Sequence, residues 1–102
     1  MGLFMITVWY PPDKAPEMAK LYLKSSRDFP SISKWRVFNT SGGTDGLKQY
    51  HLIYTEREKV EEAMGELNKY FMPFLNIEGF RYLVEPLMGV SDSYKLLGMK
   101  WE

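Results

Sequence analysis

The chain has 102 residues, the size of one domain, with 45% hydrophobic residues, 25% charged residues and a formal net charge of zero. This balance is typical of a soluble globular protein. It argues against the strongly basic surface of a nucleic-acid-binding protein and against a polybasic membrane anchor. The absence of cysteine excludes disulfides and thiolate metal sites and favours a reducing, cytoplasmic location. The apolar start lacks a basic segment and is too short to cross a bilayer, so we expect no membrane association.

The first half of the chain predicts a strand, a helix and a second strand. Residues 3–10 are continuously apolar, with β-branched and aromatic residues, which favours a strand that ends at two consecutive prolines. Residues 15–29 place apolar side chains at helical spacing, with Pro16 in the first turn, where proline is tolerated. Residues 32–40 have the composition of a second strand.

The second half of the chain predicts a third strand, a second helix and a fourth strand. Residues 47–55 predict a third strand that forms a hairpin with the second through the glycine-containing loop SGGTDG. Thr55 and Glu58 have the spacing of a capping box, which predicts that a helix begins there. Residues 80–88 predict the last strand, and Pro86 favours an edge position for it.

The resulting order is βαββαβ, which predicts an α+β, ferredoxin-like fold with a four-stranded antiparallel sheet. We assign residues 1–90 to this domain. Residues 91–102 form a C-terminal tail that is too apolar to stay in water, and we expect it to dock on the domain or on a partner subunit. The apolar residues of the tail are Tyr94, Leu96, Leu97, Met99 and Trp101.

Side chains alternate along strands, so the four strands divide into two sets. The first set is apolar or aromatic and is expected to pack under the helices: Phe4, Ile6, Val8, Trp35, Val37, Tyr50, Leu52, Tyr54, Tyr82 and Val84. The second set mixes apolar and polar groups: Met5, Thr7, Trp9, Arg36, Phe38, Thr40, Gln49, His51, Ile53, Arg81, Leu83 and Glu85.

The mixed second set is unusual for a face in solvent, because exposed patches with so many large apolar groups mark interfaces or ligand surfaces. We therefore expect a homodimer in which two sheets face each other and enclose a partly polar cavity. A small-molecule ligand there would contact the polar and aromatic side chains of that face. The candidate ligand-binding residues are Thr7, Trp9, Arg36, Phe38, Gln49, Arg81 and Glu85.

The succession of LFMITVWYPP, a helix, KWRVFNTSGGTDGLKQYHLIYTE, a second helix and FRYLVEPLM resembles the dimeric α/β-barrel superfamily of ferredoxin-like proteins. The resemblance covers residues 3–90 and is greatest to small single-domain members of unknown function. The superfamily also contains cofactor-independent monooxygenases, muconolactone isomerases, stress-responsive proteins and haem-degrading enzymes. The haem-degrading members use a strand-one asparagine and a histidine on the second helix. This chain has Thr7 in the comparable strand-one region and no histidine on the second helix, which argues against haem degradation.

His51, the single histidine, is the candidate catalytic residue, since an imidazole titrates near neutrality and can act as a general base. The alternative is a strand residue that is hydrogen-bonded inside the dimer. Likewise, Arg36, Arg81 and Glu85 could orient a substrate or pair with each other or with the other subunit. Trp9 and Phe38 could line a ligand site or only pack the dimer. One histidine without cysteine predicts no metal site, and no cofactor is expected.

Three functions remain open from the sequence. The first is a homodimer that binds a small, partly apolar molecule, with cofactor-independent monooxygenase or isomerase chemistry as its enzymatic form. The second is a non-catalytic dimer that senses a ligand or serves a structural role. The third is an RNA-recognition-type domain, which GLKQYHLIY disfavours because it lacks the basic-glycine-aromatic signature. The glycines of SGGTDGLK are mis-spaced for a phosphate-binding loop and fit a hairpin loop.

Overall fold

Seven helices and strands follow one another in a computed structural model that describes residues 2–100. Short 3₁₀ turns precede α1 and α2 and follow α2. The bounds are β1 Gly2–Tyr10, α1 Ala15–Lys24, β2 Ile32–Ser41, β3 Leu47–Thr55, α2 Val60–Phe71, β4 Arg81–Leu87 and α3 Val90–Leu96. The predicted strands and the two predicted helices are present, and the tail contains a third helix.

The four strands form one antiparallel sheet in the order β2-β3-β1-β4. The α+β class and the four-stranded antiparallel sheet are therefore confirmed, and this strand order is compatible with a ferredoxin-like fold. β1 lies in the interior, where Ile6 is opposite His51 on β3 and opposite Val84 on β4. β4 is an edge strand, which suits Pro86 because proline has no N–H to donate to a further strand.

The core lies between one face of the sheet and helices α1 and α2. The inward side chains of β1 are almost fully buried against α2 and the turn that follows it. Aromatic rings dominate this layer, and Phe71 stacks on Tyr82 with ring centroids 5.0 Å apart. The buried hydrophobic residues are Phe4, Ile6, Val8, Tyr10, Met18, Ile53, Ala63, Leu67, Tyr70, Phe71, Phe74, Ile77 and Phe80.

The face predicted for β3 is wrong. Residues directly opposite each other in an antiparallel sheet share a face. Ile53 is opposite Phe4, His51 is opposite Ile6, and Gln49 is opposite Val8, so all three lie on the helix-covered face. The other β3 side chains, Tyr50, Leu52 and Tyr54, therefore lie on the uncovered face. Because side chains alternate along a strand, a shift of one residue in its register places every side chain on the other face of the sheet.

Two local predictions also differ from the structure. α1 ends at Lys24 rather than at residue 29, because the Ser25 hydroxyl donates a hydrogen bond to the Leu21 carbonyl and the backbone becomes extended there. Thr55 forms no capping box: it is fully buried, and its hydroxyl donates to the carbonyl of Ser31. Thr55 thus connects the end of β3 to the chain entering β2.

α3 begins at Val90, one residue before the predicted tail, and follows β4 after Met88 and Gly89. Leu96 and Leu97 are 74% and 71% exposed, and Met99 is also exposed. Trp101, which was expected to dock with them, lies outside the described residues. The division into a domain of residues 1–90 and a docking tail stays a prediction.

Candidate functional site: the open face of the sheet

The uncovered side of the sheet, which we call the open face, has an apolar centre and a charged rim. The interior strands β1 and β3 contribute aliphatic and aromatic side chains, whereas the edge strands β2 and β4 contribute most of the charges. This is the distribution found in protein interfaces, where a largely uncharged core is surrounded by a polar rim. The open face comprises Leu3, Met5, Thr7, Trp9, Lys34, Arg36, Phe38, Thr40, Lys48, Tyr50, Leu52, Tyr54, Arg81, Leu83, Glu85 and Leu87.

Cations lie over the aromatic rings of the open face. The ammonium of Lys48 is 5.7 Å from the ring centre of Trp9 and 5.2 Å from that of Tyr50. The guanidinium of Arg81 lies 5.0 Å from the same Trp9 ring. Contacts at these distances are favourable cation–π interactions, and they keep water-accessible charge above otherwise apolar surface.

The edge strand β2 repeats this pattern. Arg36 lies 5.0 Å from the ring centre of Phe38, and Lys34 lies 5.6 Å from that of Tyr54. The ion pairs within residues 2–100 are all between helix or turn residues three apart, so neither Arg36 nor Arg81 pairs with Glu85 inside the subunit. Four cations and one carboxylate therefore give the open face a positive charge, although the chain as a whole is neutral.

Six of the candidate site residues lie together on the open face: Thr7, Trp9, Arg36, Phe38, Arg81 and Glu85. Gln49 and His51 lie on the opposite side of the sheet. The sequence analysis assigned Tyr50, Leu52 and Tyr54 to the core, so it did not place these three side chains on the open face. The register between β1 and β3 would have been needed to find them, since both sets of β3 side chains contain apolar residues.

His51 is the buried middle member of a chain of polar groups on the helix-covered face, between the half-buried Trp35 and Gln49. The indole Nε1–H of Trp35 donates to His51 Nδ1 over 2.9 Å. An indole nitrogen can only donate, so Nδ1 must be the unprotonated acceptor and the ring proton must be on Nε2. That Nε2–H then donates to Gln49 Oε1 over 3.1 Å. The imidazole is held in one neutral tautomer with both ring nitrogens engaged.

Burial is the main reason that the pKa of His51 is lowered to about 4, and the positive charge of Arg27 lowers it further. The side chain is 1% exposed. A group that is neutral, hydrogen-bonded at both nitrogens and enclosed in the core has no free nitrogen to offer a substrate. The expectation that His51 faces a space between two sheets is therefore wrong.

Within residues 2–100 no helix is both long and apolar enough to span a bilayer. The same residues contain no group of three histidine or carboxylate side chains that could hold a metal ion. No protein-family model matches the sequence, and no curated protein is significantly similar to it. The proposal for its function therefore starts from the fold and the open face.

Proposed function

We propose that two copies of the chain associate through their open faces and enclose a small, partly apolar molecule between the sheets, as in a dimeric α/β barrel. The observation that carries this proposal is the open face itself, with a mainly apolar centre on β1 and β3, where Lys48 is the one charge, and a charged rim on β2 and β4. Monomeric proteins rarely expose contiguous apolar patches of this kind.

The surface area of the chain supports a second copy as the occupant of this face. The accessible surface is 6927 Å² for a mass of 12.0 kDa. The usual scaling for a folded monomer of that mass gives about 6,000 Å². The excess of roughly 900 Å² is close to the area that each partner buries in a standard protein interface, about 800 Å².

The tail supports association as well. The radius of gyration is 15.5 Å, whereas a compact domain of about 100 residues has a value near 13 Å. α3 and the residues after it contribute exposed Leu96, Leu97 and Met99. If these three side chains packed on the partner subunit, the apolar surface of the tail would be buried together with that of the open face.

The enclosed molecule would be partly apolar and negatively charged. Trp9, Phe38 and Tyr50 offer aromatic walls, and the four cations of the open face outnumber its single carboxylate, so an anion would offset their repulsion when two faces meet. We propose binding rather than turnover, because His51, the single histidine of the chain, lies in the core and not on the open face. The dimer would then serve as a ligand sensor or carrier.

The first experiment is a molar-mass measurement by light scattering on a sizing column across a concentration series. Leu83 is 48% exposed on the open face, and Leu75 is 49% exposed in the turn after α2. Leu83→Arg should weaken the dimer at least tenfold, about 1.4 kcal/mol, because it places an unpaired charge in the interface. Leu75→Arg is the matched control and should leave the dimer unchanged.

A wild-type monomer at every concentration would contradict the proposal. In that case single-stranded RNA would be the next occupant to test, because aromatic rings beside cations on an open four-stranded sheet can stack bases. Binding of RNA that weakens with salt, together with a monomeric mass, would replace the dimer by a nucleic-acid surface. A dimer that both variants leave intact would place the interface elsewhere on the chain.

A further inference from the structure

A cavity of about 430 Å³ lies on the opposite side of the sheet from the open face, between α1 and the strands β2 and β3. Its volume falls in the range of small-molecule sites. On the side of α1 its wall includes the small side chains of Ala15 and Ala19. The lining residues are Tyr10, Ala15, Met18, Ala19, Tyr22, Val37, Asn39 and Gln49.

The polar chain in the core ends at this cavity. Gln49 Oε1 accepts the hydrogen bond from His51 Nε2–H, and this fixes which end of the amide faces the histidine. The two N–H donors of the Gln49 amide bond to no other residue among residues 2–100, and Gln49 is half-buried in the cavity wall, so these donors remain accessible. Trp35 and His51 together thus orient a donor group in the wall of an otherwise largely apolar cavity.

A cation without a carboxylate partner is close to the same cavity. The guanidinium carbon of Arg27 lies 4.4 Å from the ring centre of Tyr22, which is a lining residue. No carboxylate within residues 2–100 pairs with Arg27. Its positive charge acts on two groups of the core, since it lowers the pKa of His51 and opposes the rise that burial causes in the pKa of Tyr70. The hydroxyl of Tyr70, which lies in the core and does not line the cavity, has no hydrogen-bond partner among residues 2–100.

We propose that this cavity binds a small monocarboxylic acid. The carboxylate would accept from the amide N–H groups of Gln49, which lines the cavity, and Arg27, which lies over the lining residue Tyr22, would approach it from the exposed side. The apolar body would pack among Met18, Val37 and Ala15. An acid fits better than a neutral molecule because a guanidinium and a carboxylate form charge-assisted hydrogen bonds, which are about twice as strong as neutral ones. The site is separate from the space between facing sheets and goes beyond the proposed function.

The test is a nuclear magnetic resonance titration with benzoate, phenylacetate and 3-phenylpropanoate, each paired with its neutral amide. The side-chain amide signal of Gln49 should shift saturably with at least one of the acids at up to roughly 10 mM, a weak but measurable affinity. The corresponding amide should bind at least tenfold more weakly. Shifts that are confined to open-face residues, equal affinity for acid and amide, or no shift with any acid would overturn the proposal.

Two variants locate the site without disturbing the core. Arg27→Gln removes the cation, and Ala19→Phe fills the cavity from an exposed helix position. Each should weaken binding of the acid at least tenfold, whereas Arg57→Gln, the matched loss of an exposed arginine elsewhere, should change it less than twofold. Retained affinity in both Arg27→Gln and Ala19→Phe would refute the assignment. Leu83→Arg should leave the titration unchanged, which separates this site from the dimer proposal.

Discussion

The chain from Trp35 through His51 to Gln49 should make the protein sensitive to acid in a range where most surface groups do not titrate. His51 has a pKa of about 4 in the folded chain, against a usual value near 6.5 once it is unfolded. The unfolded state therefore takes up a proton as the pH falls below 6.5, while the native state resists protonation until about pH 4. The stability due to neutral His51 is complete above pH 6.5 and is lost as the pH falls toward 4.

The expected loss follows from the difference between the two pKa values. One pKa unit corresponds to 1.36 kcal/mol, so the full contribution of His51 is about 3 kcal/mol, and roughly 2 kcal/mol of it is lost by pH 5. Solvent does not screen this contribution, because His51 is only 1% exposed. A loss of this size is a considerable fraction of the free energy of unfolding of a small domain.

The assay is urea denaturation at pH 7 and pH 5, at fixed protein concentration, for the wild type and His51→Gln. Glutamine can accept from Trp35 and donate to Gln49, but it does not titrate. Carboxylates contribute equally to both proteins and cancel in the comparison. The wild type should lose about 2 kcal/mol more than His51→Gln between the two pH values. Equal losses would refute the argument that His51 is buried in its neutral form.

Other predictions concern the same core and use denaturation as the readout. Trp35→Phe should cost about 1–3 kcal/mol, because it leaves His51 Nδ1 buried without a donor; an unchanged free energy of unfolding would mean that this bond is not formed. Phe71→Ala should cost about 3–5 kcal/mol through the cavity it creates among the rings, and a loss below 1 kcal/mol would show that the ring is not enclosed. Thr55→Val keeps the side-chain shape but leaves the Ser31 carbonyl without its donor, so we expect a loss of about 1–3 kcal/mol, whereas added stability would argue against that hydrogen bond.

The order of elements could be predicted because each boundary is encoded locally. Consecutive prolines end β1, and helical spacing distinguishes α2 from the strands on either side of it. Pro86 marks an edge strand by its own chemistry, since it lacks an N–H. Such signals need no knowledge of distant residues, and they determined the class and the strand number correctly.

The face of β3 could not be predicted in the same way, because its inward polar residues depend on partners far along the chain. A histidine is expected outside the core unless its nitrogens are satisfied. Trp35, sixteen residues away, satisfies one of them, and this pairing depends on the register between β2 and β3. Without the register, Tyr50 and Leu52 are better core candidates than Gln49 and His51, so the sequence favours the wrong face.

β3 therefore has the reverse of the polarity that an antiparallel strand normally has. It places Gln49 and His51 under the helices and Tyr50, Leu52 and Tyr54 on the uncovered side. The buried His51 already has its partners within the subunit, but the broad apolar surface on the uncovered side is unfavourable in water. A second copy that closes the uncovered side would remove this cost, and the inward polar chain would offer the N–H groups of the Gln49 amide to a ligand. The same strand then supports two proposals that different experiments can refute separately.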